Sequence, residues 1–91
     1  MNGFGWDRAN VDHIARHGLE PEEVEDALLD PEGVPAAAYN VATNSGVERR
    51  SGFIGATEAG RILYVAYTKR GGVIRVVTAR DANSREKRSY R

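Results

Sequence analysis

The sequence predicts an α+β domain: two N-terminal helices packed on a four-stranded antiparallel sheet, with a short C-terminal helix. Three observations predict it. Up to about residue 30, apolar residues recur at helical spacing. After Gly33 the pattern changes period, and four strand-like runs follow. The turns between those runs are too short for crossovers, so the strands form an antiparallel meander. The 91 residues make one domain, 1–91.

The first helix reads from Arg8 to His17. Asp7 is its N-cap, and Trp6 is placed to staple onto Val11. Val11, Ile14 and Ala15 form its apolar stripe, and Gly18 stops it. The second helix reads from Pro21 to Leu29. Proline at the first position and Glu22 and Glu23 in the first turn are start signals, and Asp30-Pro31 ends it. Val24, Ala27 and Leu28 face inward, leaving an acidic outer face. Strands are expected at 35–42, 47–56, 61–69 and 73–80, parted by TNSG, TEAG and KRGG. Pro35 makes the first an edge strand. In the tail, DANSREKRSYR, Asp81 caps a helix carrying Arg85, Lys87, Arg88 and Arg91. So polar a helix is marginal alone and needs docking.

Composition excludes several chemistries. There is no cysteine, hence no disulfide, thiolate metal site or thiol nucleophile. There is neither a signal-peptide core nor an apolar run of about 18 residues, so a cytoplasmic protein without membrane contact is expected. The formal net charge is zero, but it is divided. Residues 1–34 hold nine acidic and two basic side chains, and residues 35–91 four acidic and eleven basic. Either the halves neutralise each other, or the basic half faces a polyanion.

His13 and His17, four apart on one helix edge, have the spacing of a metal-binding pair. A third ligand would have to be a carboxylate, and Ile14 stands where HExxH needs glutamate. No metal or other cofactor is expected. No phosphate-cradling glycine loop and no G-x-S-x-G elbow occurs. The basic set is Arg49, Arg50, Arg70, Arg75, Arg80, Arg85, Lys87 and Arg88. Its arginine bias suits phosphate oxygens. Tyr64, Tyr67 and Tyr90 are interleaved and suited to stacking on unpaired bases. RNA hydrolysis needs no metal, because the 2′-hydroxyl attacks its own phosphate. It needs a base, an acid and cations around the phosphorane. His13, His17 or Glu48 qualifies as the base; Arg50, Arg75 or Arg80 as the phosphate ligand; a histidine or tyrosine as the acid.

Six segments in order then resemble the BrnT family of type II toxins. FGWD (4–7) is similar to its F-x-W-D opening, and ARHGL (15–19) to its basic-H-G-hydrophobic turn. PEEVEDALLDP (21–31) resembles its acidic second helix, and ERRSGFIG (48–55) its E-x-R…G strand. RILYVAYTKR (61–70) and IRVVTARDANSREKRSY (74–90) resemble its paired strands and closing motif. The sequence departs from the pattern at His13, where asparagine or a similar residue is expected, and it lacks a lysine after WD. The resemblance implies a RelE/ParE-like fold and a metal-independent ribonuclease that halts growth. It implies neutralisation by a BrnA-type antitoxin with a ribbon-helix-helix domain, and contact with operator DNA only through that antitoxin. A homodimer and a heterotetramer with the antitoxin both remain open. His17, Glu48, Arg50 and Arg80 are the catalytic candidates; Arg49, Arg75, Arg85, Arg88 and Tyr90 are the RNA-binding ones. The rival reading keeps the fold as a non-catalytic partner-binding module.

Overall fold

A computed structural model describes residues 3–90, so Arg91 lies outside the described residues. The elements are α1 (Arg8–Ala15), α2 (Pro21–Leu28), β1 (Val34–Thr43), β2 (Gly46–Ala56), β3 (Ile62–Arg70), β4 (Val73–Asp81) and α3 (Ser84–Tyr90). The strands form one antiparallel sheet in the order β1-β2-β3-β4.

The Asp7 carboxylate caps α1 by accepting the Asn10 amide at 2.9 Å. Gly18 turns the chain at φ +71°, a conformation that a side chain would strain. The helix ends two residues before His17, and Ala15 is exposed rather than part of the buried stripe. At eight residues, α1 sends one fully buried side chain, Ile14, into the core. Its other links to β4 are polar. Asn10 Nδ2 donates to the Val76 carbonyl at 2.8 Å, and His13 Nε2 lies 3.0 Å from Thr78 Oγ1.

In α2, Val24 and Ala27 are buried and Leu28 packs on the core, as expected. Trp6 also packs there and donates its indole N–H to Glu25 at 2.7 Å. The core joins Ile14, Leu19, Val24 and Ala27 to Leu63, Val65, Val76 and Ala79. A fully buried Val, Leu or Ile contributes about 1.5–3 kcal/mol. Gly55 lets α2 lie against β2: a Cβ there would stand 2.0 Å from the Ala27 carbonyl oxygen.

Paired residues in a sheet share a face, and neighbours along a strand alternate. Leu63, Val65, Val76 and Ala79 therefore mark the face under α1 and α2. Tyr64, Thr68, Arg75 and Arg80 fall on the other face, with Ile54 and Gly52 from β2. One half of that second face carries α3, which buries no residue among those described. Asn83, not Asp81, caps α3: its carboxamide oxygen accepts the Glu86 amide and its own amide donates to Glu86, both at 2.9 Å. Asp81 instead ends β4 and binds Arg61 at 2.6 and 3.1 Å. Arg61 also donates to the carbonyls of His17 and Gly18 at 3.0 and 3.2 Å, closing the end of α1.

The two charged halves do not neutralise each other. Among the described residues one ion pair, Arg75–Asp7, crosses between them; the other five stay within a half.

Candidate functional site

The uncovered half of the second face holds a pocket of about 210 Å³ lined by Asn10, Glu48, Arg50, Thr68, Arg70, Arg75, Val76 and Val77. Two devices build it. β2 and β3 pair up to Ser51↔Tyr67, and beyond it Arg50 and Glu48 line the pocket with Thr68 and Arg70. A bulge in β4 at Val77 shifts the next pairing, so that Thr68 faces Arg75.

Glu48 organises the cations. One carboxylate oxygen accepts from Arg50 Nε at 3.1 Å and the other from Arg70 at 3.5 Å. Arg75 points to the rim and donates to Asp7 at 2.9 Å, tying the pocket to the α1 N-cap. Burial works against the Arg50 charge, but Glu48 and Tyr39 beside it outweigh that and hold its pKa above the usual guanidinium range. Arg50 therefore stays cationic at any working pH. Thr68 is buried in the floor, and the Asn10 carboxamide oxygen is buried without a partner in the wall. Three guanidinium groups around a partly buried carboxylate can hold a phosphate and offer one acceptor for a proton.

The structure brings Glu48, Arg50 and Arg75 together and sets the remaining candidates elsewhere. Arg80 makes a bidentate pair with Glu86, at 2.8 and 3.0 Å, and lies 4.5 Å over the Tyr64 ring. That pair keeps the Glu86 carboxyl below its ordinary range and the Arg80 guanidinium above it. Arg85 lines a second groove with Arg80, between α3 and β1. Arg88 is exposed on α3, and Arg49 is exposed opposite Asn40, on the other face from Arg50. The Tyr90 hydroxyl donates to Asp30 at 2.5 Å, which pushes the phenol up to about 12 and holds the Asp30 carboxyl down. His17 sits exposed in the turn after α1, on the side of Asp81, whose carboxyl is held down chiefly by its hydrogen bond to Arg61 and least by His17. The His13 and His17 rings lie 6.1 Å apart, and no third metal-ligating side chain groups with them among the described residues.

Asn10, Thr68 and Tyr39 belong to this face without having been singled out in the sequence. A signal existed for Tyr39. The turn that sets Thr43 against Gly46 also sets Tyr39 against Arg50.

Residues 6–86 match the family model described as "Ribonuclease toxin, BrnT, of type II toxin-antitoxin system". The chain belongs to the BrnT family. The matched span holds every residue lining the pocket, and Arg80, Arg85 and Glu86, but stops short of Arg88 and Tyr90. The crystal structure of the Brucella abortus ribonuclease toxin BrnT shares the fold, with a TM-score of 0.58 at 23% identity. The similarity covers 92% of this chain and 100% of that one. No curated protein matches. As a BrnT-family member, the chain is a toxin-type component of a type II toxin–antitoxin system, which implies an antitoxin partner and an RNA target. No described helix is long and apolar enough to cross a membrane.

Proposed function

We propose that this BrnT-family chain is an endoribonuclease toxin that cleaves RNA without a metal ion, at the pocket on the uncovered half of the sheet. The observation that carries the reading is the convergence of Glu48, Arg50, Arg70 and Arg75 on one concave surface. RNA supplies its own nucleophile in the 2′-hydroxyl. Glu48 accepts that proton as the 2′-oxygen bonds to phosphorus, the guanidinium groups stabilise the charge that develops on the phosphorane, and the 5′-oxygen leaves as its bond to phosphorus breaks, taking a proton from water. Arg75 exchanges Asp7 for the phosphate as RNA binds. Arg80 on β4 and Arg85 and Arg88 on α3 extend the basic surface, while His17 and Tyr90 stand outside the reacting centre. The partner is a BrnA-type ribbon-helix-helix antitoxin acting in the cytoplasm, and operator DNA is met through it.

The test is cleavage of a long unstructured RNA in EDTA by the parent and by Arg50→Ala, Arg80→Ala and His17→Ala. Loss of one preorganised charge-stabilising group costs about 10²–10³ in rate. Arg50→Ala should lose that much, and His17→Ala should stay near the parent. Abolition by His17→Ala with Arg50→Ala unaffected would relocate the site. One observation favours a second reading, a non-catalytic partner-binding module: Arg80 and His17 do not join Glu48 and Arg50. Folded parent protein that cleaves neither free nor ribosome-bound RNA would establish it.

A further inference from the structure

The tyrosines of this chain do not stand equally free. Tyr64 has one ring face covered by the Arg80 guanidinium. Tyr67 pairs with the core residue Val76 and so lies on the helix-covered face. Tyr90 is tied to Asp30. Tyr39 differs. It is 40% exposed, sits on the edge strand β1 and pairs directly with Arg50. Directly opposed side chains across an antiparallel pair stand about 5 Å apart. Its phenol is near enough to bear on the charge of Arg50 and on the titration of Tyr64. Tyr39 thus lies between the arginine pocket and the groove that holds Arg80 and Arg85.

We infer that Tyr39 is a base-binding subsite, on which an unpaired nucleobase stacks when the adjoining phosphate lies against Arg50. The inference rests on the ribonuclease reading for its ligand. The geometry suits one nucleotide: the phosphate at β2, the base one strand over on β1. The neighbours of Tyr39 along the strand, Ala38 and Asn40, are uncharged and do not compete for the phosphate. Stacking needs a base free of its partner, so the subsite selects single-stranded over duplex RNA. It tolerates any base, because every base has a π face.

The experiment measures binding by fluorescence anisotropy with two short labelled strands. One is a 2′-O-methyl oligoribonucleotide, which cannot undergo 2′-hydroxyl attack. The other is an abasic phosphodiester strand of the same length. Tyr39→Ala should weaken binding of the base-bearing strand about tenfold and leave the abasic strand unchanged. Tyr39→Phe should bind both like the parent, which also reports that the edge strand is intact. Equal losses on both strands, or no loss on the base-bearing strand, would overturn the subsite. A parent that discriminates the two strands through Tyr39 yet cleaves no RNA would sustain the subsite and sink the ribonuclease reading. A parent that cleaves RNA while Tyr39→Ala binds both strands normally would do the reverse.

Discussion

Replacing Gly55 by alanine should unseat α2 from the sheet. The added Cβ would stand 2.0 Å from the Ala27 carbonyl oxygen and 2.9 Å from its carbonyl carbon, whereas real Cβ contacts essentially never fall under 3.0 Å. The obstacle is helix backbone, so no rotamer change relieves it. The helix must lift by about 1 Å, which loosens Val24 and Ala27 against Leu63 and Val65. Overpacking typically costs about 1–3 kcal/mol, and an obstacle of backbone puts this case near the upper end. The lost backbone freedom of the unfolded chain returns about 0.4–1 kcal/mol. The net loss is about 2 kcal/mol, which for a domain of this size lowers the melting temperature by about 8–16 °C. Thermal and urea melts of Gly55→Ala measure it. Gly3→Ala serves as control, since nothing lies within 4 Å of a Cβ there. A Gly55→Ala protein that melts within about 2 °C of the control would refute the close approach of α2 to β2.

Two further predictions concern the docking of α3. The Glu86 carboxyl is held below the ordinary carboxylate range by Arg80, so its contribution is present above that range and is lost as pH falls through the lowered value. Glu86→Gln should therefore flatten the acid limb of the stability profile and release the Tyr64 ring resonances from the Arg80 shift; an unchanged acid limb would remove this pair from the docking contacts. The Tyr90 phenol is raised to about 12 by Asp30, so its contribution is complete below about 10 and is lost as pH rises through 12. Ultraviolet titration should show a late tyrosine step near 12 that Tyr90→Phe abolishes; the step persisting in that variant would assign it to Tyr64, whose phenol is raised chiefly by burial.

Much of the fold is written in local signals. Pro21, Glu23, Gly18 and the turn clusters each act through their own backbone, and the elements they delimit appear within one or two residues. The assignments that changed depended on partners remote in sequence. Asp81 reads as a helix cap until Arg61, twenty residues away, takes its carboxylate. The site divides in the same way. Glu48 and Arg50 share a face by strand alternation, which the sequence displays. That Arg75 joins them while Arg80 does not depends on a bulge at Val77 and on Glu86, and neither leaves a local mark. The resemblance across six ordered segments named the family correctly, because it sums weak signals along most of the chain.

The tethers of the first helix set an order on assembly during synthesis. Phe4 bridges to Ile74, Asp7 binds Arg75, Asn10 binds the Val76 carbonyl and His13 meets Thr78. All four join the first thirteen residues to a stretch more than sixty residues later. Loops of that length must close before these contacts repay their entropy, whereas the hairpins of the meander need only short closures. A nascent chain therefore forms β1 to β3 while α1 still lacks its mate. Asn10 and Arg75 enter the pocket wall only when β4 has left the ribosome. A translating ribosome thus carries an unfinished pocket until β4 has emerged.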